Sequence, residues 1–243
     1  MEPEPVLAAV GVVRTFGALA ALDGVDFAVG PGEAIGIVGP NGAGKTTLLS
    51  VLAGTIAPTS GRILFRGRDV TGVGASRRSR LGVGRAHQVP RPFGAMTVFE
   101  NCFVAATTGG GLRRRQAYGR SIEVLELCHL SDLANRRADT LGLLGRKRLE
   151  LARALATNPV VLLVDEIGAG LTDAEAAELV VMIKALRDSG LAIVWIEHIV
   201  HILVQVVGRL VCMDFGQVIA DGEPQAVMRD ARVVDAYLGS AAA

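Results

Sequence analysis

One nine-residue segment constrains the fold of this chain more than any other part of its sequence. Residues 39–47 read Gly-Pro-Asn-Gly-Ala-Gly-Lys-Thr-Thr and match the pattern G-x-x-x-x-G-K-[ST]. The segment follows an apolar run that is predicted to be a strand, Ala34–Val38, and it precedes a predicted helix, Thr46–Leu52, which ends at Gly54. Because the motif requires this strand, loop and helix context, the sequence predicts an α/β protein with a phosphate-binding loop.

Each residue type in the segment suits the binding of a phosphate chain. Glycines allow backbone N–H groups to converge on an anion, and the start of the helix adds its positive dipole end. Lys45 supplies a mobile positive charge, and the Thr46 hydroxyl can coordinate Mg²⁺. The residues assigned to the bound nucleotide are Gly39, Pro40, Asn41, Gly42, Ala43, Gly44, Lys45, Thr46 and Thr47. The alternative is a glycine-rich turn that only joins a strand to a helix.

A second chemical signal follows another apolar run, Val160–Val164. The run is a buried-strand pattern and ends in two adjacent acids, Asp165 and Glu166. In open α/β sheets, ligands bind at the carboxyl ends of the strands, so Asp165 is predicted to hold Mg²⁺, directly or through water. Glu166 is then placed to act as the general base that polarises an attacking water. The alternative is that both acids merely end a strand at the surface.

Composition limits the class of protein and its partners. The 243 residues are enough for a sizeable core, and 25 basic against 24 acidic residues leave a net charge of +1. No global field therefore favours nucleic acid, which is not expected as a partner. Three dispersed cysteines in apolar stretches indicate reduced thiols, and no apolar run approaches the ~20 residues of a membrane span. The chain is expected to be neither secreted nor transmembrane.

The remaining pattern divides the chain into three parts. Short strands are predicted near the amino terminus, with turns at Gly24 and at residues 30–32. Residues from about 90 to 159 are predicted to be mostly helical, with one helix opened by a capping box at Thr97. The last third alternates strands with helices, including a helix from Asp173 to about Arg187. Apolar strands that alternate with helices indicate a parallel sheet covered on both faces.

Together these motifs resemble those of the ATP-binding subunits of ABC transporters, over essentially the whole chain. The chain looks closest to the ATPases of branched-chain amino acid (LIV-type) importers, through Arg91-Pro92-Phe93, Thr97–Asn101 and Arg148–Leu155. The resemblance implies a single α/β ATPase domain, residues 1–243, with a RecA-like P-loop NTPase core of mainly parallel sheet in residues 1–88 and 159–243. It also implies an antiparallel β subdomain near the amino terminus and an inserted helical subdomain at about 89–158.

The resemblance assigns three further site residues. Gln88 occupies the position that senses Mg²⁺ and the attacking water, and His198 matches the histidine that contacts the γ-phosphate. Phe16 stands where the family places an aromatic ring that stacks on adenine; the alternative is a core residue, which is the more common role of an aromatic in a strand near the amino terminus. A zinc pair formed by His198 and His201 is the other interpretation of those histidines, although two ligands alone make a poor zinc site.

The chain departs from the family in two segments. The family's L-S-G-G-Q stretch, which binds ATP held by the opposite subunit, aligns with Leu141 and with Gly142, Leu143, Leu144 and Gly145. The serine hydroxyl is lost, and a helix from about Arg146 is expected to supply the remaining N–H groups, so the contact across the dimer is predicted to be weaker. Residues 167–172 also differ from the common pattern, and Thr172 is predicted to be a helix N-cap.

The resemblance implies a peripheral ATPase on the cytoplasmic face of the inner membrane that uses ATP and Mg²⁺. Its implied partners are membrane permease subunits, contacted through Arg91, Pro92 and Phe93, and indirectly a solute-binding protein. A second ATPase subunit with a conventional signature is expected, while a homodimer stays open. The rivals are lipid export or another ABC system, an ATPase acting on DNA or ribosomes, and a P-loop kinase.

Overall fold

Three fully buried strands form the centre of the larger sheet. They are β3 (Ala34–Val38), β7 (Val161–Asp165) and β8 (Ala192–Ile196), and every residue in them is buried. Strands covered on both faces need continuous apolar runs, and this explains why their sequences do not alternate. The computed structural model describes residues 4–240.

The larger sheet has the strand order β10-β9-β3-β8-β7-β6. Its outer strands are β6 (Val83–Ala86), β9 (Arg209–Asp214) and β10 (Gln217–Gly222). All neighbours pair in parallel except β9 and β10, which are antiparallel. The parallel arrangement brings the carboxyl ends of β3, β7 and β8 to one edge, where the predicted site residues follow.

An antiparallel sheet forms the second layer, in the order β2-β1-β4-β5. Its strands are β1 (Leu7–Phe16), β2 (Leu19–Val29), β4 (Ser60–Phe65) and β5 (Arg68–Asp69). The prediction of a turn at Gly24 was wrong, because β2 runs through this residue. Gly24 lies at an irregularity of the β1–β2 register and has a φ of 68°, which glycine adopts without a Cβ clash.

Two of the helices around the sheets begin or end at a predicted cap residue. Those outside the β6–β7 connection are α1 (Lys45–Ala53), α2 (Ala75–Leu81), α6 (Asp173–Asp188), α7 (Val200–Leu203), α8 (Pro224–Arg229) and α9 (Ala231–Ser240). Gly54 ends α1 with a left-handed φ of 77°. Thr172 forms the predicted capping box with Glu175 at the start of α6.

The connection between β6 and β7 is helical. It contains α3 (Val98–Val104), α4 (Arg114–Leu127) and α5 (Leu143–Ala156), with a π-turn at Ala105–Gly109 and 3₁₀ turns at Ser131–Leu133 and Ala138–Thr140. Thr97 caps α3 as predicted. The expected start of a helix near Arg146 was wrong: α5 begins at Leu143 after Gly142, whose extended φ and ψ of −65° and 175° make it the N-cap residue.

Two apolar clusters flank the larger sheet. One cluster packs the helical connection and α6 against the sheet, and the other packs α1 and the antiparallel sheet against its opposite face. Trp195 of β8, the only tryptophan in the chain, is 1% exposed within the first cluster. Among residues 4–240, no helix is both long enough and apolar enough to span a bilayer.

Candidate active site

The glycine loop follows β3 and is shaped by close backbone contacts. A Cβ on Gly39, which has a φ of 142°, would lie 2.0 Å from the Met213 carbonyl oxygen. A Cβ on Gly44, with a φ of 99°, would lie 2.4 Å from the Ala21 carbonyl oxygen. Only glycine fits at these two positions, so the fold fixes the path of the backbone that leads into α1.

Lys45 is the cation of the loop. Its side chain is buried, and its Nζ donates hydrogen bonds to the carbonyl oxygens of Gly39 (2.7 Å) and Pro40 (2.8 Å). Burial lowers the pKa of the Lys45 ammonium, whereas the nearby carboxylates of Glu166 and Asp165 act to raise it. The two loop carbonyls therefore position the Lys45 ammonium at the phosphate loop, and the oxygens of a bound phosphate chain can replace them as hydrogen-bond acceptors.

Asp165 ends β7 beside the first turn of α1. The Thr46 hydroxyl donates to Asp165 Oδ1 at 3.3 Å, and Arg85 Nη2 forms an ion pair with Asp165 Oδ2 at 3.1 Å. Arg85 also donates to the hydroxyls of Ser50 and Thr55, at 3.1 and 3.3 Å. The Thr46 and Asp165 oxygens are the donor types that Mg²⁺ prefers, so the residues present fit this ion.

The other two predicted catalytic residues, Gln88 and His198, both contact Glu166. Gln88 Nε2 donates to Glu166 Oε2 at 2.5 Å, and His198 Nε2 lies 2.6 Å from Glu166 Oε1. Glu166 is buried and has a left-handed φ of 42°, which is uncommon for a residue other than glycine. Its N–H donates to the Ile196 carbonyl oxygen at 2.9 Å, and this bond holds the backbone in that conformation. The loops after β6, β7 and β8 thus converge on one carboxylate.

Two buried charged residues support these loops, and the sequence did not single out their roles. Lys147 of α5 donates to the carbonyl oxygen of Gln88 at 2.6 Å, and Glu197 accepts a 2.8 Å hydrogen bond from the Gly168 N–H. Burial lowers the pKa of Lys147 and raises the pKa of Glu197. The scarcity of lysine, with only three in the chain, was the one available signal for Lys147.

Arg85 was also missed, because its partner lies 80 positions away in the sequence. Replacing it with Ala leaves Asp165 buried without its guanidinium, so Arg85→Ala is expected to reduce the free energy of unfolding by about 3 kcal/mol. Urea denaturation followed by circular dichroism measures this loss. Arg137→Ala is the matched control, since it removes an ion pair with Asp139 whose side chains are 59% and 43% exposed. We expect that control to cost under about 1 kcal/mol, and equal losses would contradict the prediction.

Phe16 lies on β1, and the segment 142–145 lies at the start of α5. Phe16 ends β1, is 45% exposed, and carries the Arg14 guanidinium 4.5 Å from its ring centroid. Leu143 is exposed in the first turn of α5, and its side chain approaches Gly170 of the loop before α6. The adenine and dimer contacts of these residues stay predictions. No group of three or more His, Cys, Asp or Glu residues within 4–240 is arranged for a metal, so the zinc pair gains no third ligand.

A glycine loop ending in a buried lysine, with two acids at the end of a neighbouring parallel strand, defines a P-loop nucleoside triphosphatase. Comparison with known proteins narrows this class. A family model described as ABC transporter matches residues 22–169, and one described as branched-chain amino acid ATP-binding cassette transporter matches residues 217–243. The chain therefore belongs to the ABC transporter family and is an ATP-binding subunit with ATPase activity, as the motifs predicted.

The relatives match along almost the whole chain. The chain is 37% identical to the high-affinity branched-chain amino acid transport ATP-binding protein LivG of Escherichia coli K12, over 98% of this chain and 99% of that protein. It is 30% identical to the lipopolysaccharide export system ATP-binding protein LptB of Haemophilus influenzae, over 96% and 97%. The crystal structure of the ADP conformation of MJ1267, an ATP-binding cassette of an ABC transporter, aligns with a TM-score of 0.88 at 31% identity over 97% and 99%. The predicted fold class is thereby confirmed.

Proposed function

We propose that this ABC ATPase powers a membrane permease that imports branched-chain or other hydrophobic amino acids. The main support for this substrate class is the 37% identity to LivG along nearly the full length of both chains. The match of residues 217–243 to the branched-chain model supports it independently, because this region lies outside the general ABC match at residues 22–169.

Hydrolysis is proposed to proceed by in-line attack of water on the γ-phosphate. Glu166 accepts the proton of that water, while Gln88 and His198 hold the carboxylate from either side at 2.5 and 2.6 Å. Lys45 exchanges its carbonyl partners for phosphate oxygens, and the loop N–H groups bind the β-phosphate. Positioning and charge neutralisation supply most of the rate enhancement in such a site.

Thr46 and Asp165, with Gln88, are proposed to hold Mg²⁺ with the nucleotide. The bound ion would neutralise charge on the phosphate oxygens. Arg85 keeps one Asp165 oxygen occupied at 3.1 Å, which leaves Oδ1 directed at the Thr46 hydroxyl. The orientation of the carboxylate is thus set by residues of this chain before any ion arrives.

The active unit is proposed to be a head-to-tail dimer at the cytoplasmic face of the inner membrane. In it, residues 142–145 face the ATP of the opposite subunit. Gly142 lacks the serine hydroxyl of the usual signature, but the first turn of α5 keeps its N–H groups. We therefore propose a partner ATPase with a conventional signature; a fully active homodimer coupled to the permease would contradict this.

The permease is proposed to dock in a groove of about 330 Å³ between the core (1–88 and 159–243) and the helical subdomain (89–158). Phe93, which is 47% exposed, lines the groove, and the Arg153 guanidinium lies 5.3 Å from its ring centroid. Arg153 Nη1 also donates to the Arg91 carbonyl oxygen at 2.9 Å. Arg85 and His87 line the same groove. Arg85 pairs with Asp165 and His87 precedes Gln88, so these two residues of the groove adjoin the site.

The test is to purify the tagged full chain from its source cells and to identify the membrane proteins that copurify with it. The recovered complex is then placed in proteoliposomes, and uptake of labelled leucine is compared with uptake of labelled glutamate. We expect ATP-dependent leucine uptake stimulated by a solute-binding protein. The LptB relative makes lipid export the second candidate. Copurification with lipid-export components, without leucine uptake, would replace the import proposal by that candidate.

A further inference from the structure

The last described helix reaches the phosphate loop. Tyr237 lies on α9, 198 residues after Gly39, and its hydroxyl oxygen accepts a 2.9 Å hydrogen bond from the Gly39 N–H. The ring packs against the main apolar cluster. Burial raises the pKa of the Tyr237 hydroxyl, so this group stays neutral at physiological pH. The contact therefore joins the carboxyl-terminal helix to the start of the phosphate loop.

The backbone of Gly39, the first residue of the loop, is constrained on several sides. Its φ of 142° and the closeness of the Met213 carbonyl oxygen leave no room for a side chain. Its carbonyl oxygen accepts from Lys45 Nζ at 2.7 Å, so the residue is fixed by Tyr237 on its N–H side and by Lys45 on its carbonyl side. A phosphate chain draws Lys45 away from that carbonyl, whereas the Tyr237 bond can persist. The Tyr237 hydroxyl can therefore hold the Gly39 N–H whether Lys45 binds the loop carbonyls or a phosphate.

We propose that Tyr237 is a positioning residue for ATP binding, and that through its hydroxyl the carboxyl-terminal segment sets the nucleotide affinity of the loop. The proposal rests on the assignment of residues 39–47 as the phosphate loop. Without the hydroxyl, the Gly39 N–H loses its partner in a partly buried place, and the first peptide of the loop rotates to find another. The following N–H groups then leave the geometry that a phosphate requires, which weakens binding without altering the Glu166 cluster.

The test variant is Tyr237→Phe, which keeps the packed ring and removes only the hydroxyl. Tyr118→Phe is the matched control, because Tyr118 is the only other tyrosine of the chain and lies 55% exposed on α4. The Kd of a fluorescent ATP analogue and the KM and kcat for ATP are measured on the full chain. We expect Tyr237→Phe to raise Kd and KM by about three- to ten-fold while kcat stays within two-fold, and Tyr118→Phe to match the wild type.

A purely structural role for Tyr237 gives a different result. It would lower the thermal midpoint and leave the Kd of the folded protein unchanged, and that outcome overturns the proposal. If Tyr237→Phe is less stable, hydrogen exchange at the Gly39 amide is compared below the unfolding transition with exchange in β8. Faster exchange confined to Gly39 supports the proposal, and unchanged protection at Gly39 contradicts it. Failure of the wild type itself to bind ATP would instead reject the phosphate-loop assignment.

Discussion

Glu166→Gln is expected to abolish steady-state ATP hydrolysis while leaving ATP binding intact. The amide has the shape of the carboxylate but cannot accept a proton from water, and loss of a general base costs about 10²- to 10⁴-fold in rate. Gln88 and His198 lie at 2.5 and 2.6 Å from the two carboxylate oxygens, so the variant keeps neighbours on both sides. Phosphate release measures the loss of activity. Retained nucleotide and size-exclusion chromatography then reveal the ATP-bound dimer that we expect to accumulate.

The control for this variant is Glu178→Gln. Glu178 lies on α6, its side chain is 55% exposed, and it pairs with Arg148. The substitution makes the same chemical change away from the site, so phosphate release is expected to match the wild type. Full activity in Glu166→Gln would remove Glu166 from the role of base. Loss of ATP binding in the same variant would show that the carboxylate is needed to form the binding site, and would contradict a role limited to proton transfer.

Lys45→Ala is expected to lose nucleotide affinity by about two orders of magnitude. The ammonium is the buried cation of the loop, and charge-assisted hydrogen bonds to phosphate are roughly twice as strong as neutral ones. Alanine also frees the Gly39 and Pro40 carbonyl oxygens, which accept from Nζ at 2.7 and 2.8 Å. Titration with a fluorescent ATP analogue measures the Kd.

Lys184→Ala provides the comparison for Lys45→Ala. Lys184 lies on α6, away from the glycine loop, and its removal is expected to leave the Kd unchanged. Wild-type affinity in Lys45→Ala would contradict the phosphate-loop assignment. Together the two lysine variants separate a local effect on the nucleotide from a general effect of net charge.

Local signals allowed much of the fold to be predicted from the sequence. The strand β3 has the predicted bounds Ala34–Val38, and α1 ends at Gly54 as expected. Thr97 and Thr172 form the predicted capping boxes. Each of these features depends on residues within a few positions of one another, so the chain itself carries the information.

Most of the failures came from contacts between distant parts of the chain. Gly24 suggests a turn on its own, but pairing of β2 with β1 turns it into a strand irregularity. The start of α5 is a local exception: the helix begins with Leu143 and Leu144, whereas the prediction placed its start near Arg146. Two contacts join residues that are far apart in the sequence, and no local pattern predicts them. They are the ion pair of Arg85 with Asp165 and the hydrogen bond of Gly39 with Tyr237. The meeting of Gln88, Glu166 and His198 was expected from the family resemblance, and sequence spacing alone does not yield it.

The single tryptophan gives this protein a built-in optical reporter. Trp195 lies in β8, two residues before Glu197 and three before His198, and it is 1% exposed. All intrinsic indole emission therefore originates from one strand that leads directly into the catalytic loop. A change in polarity around that ring during the catalytic cycle can be followed in real time, without attaching a dye and without adding a second fluorophore to the molecule.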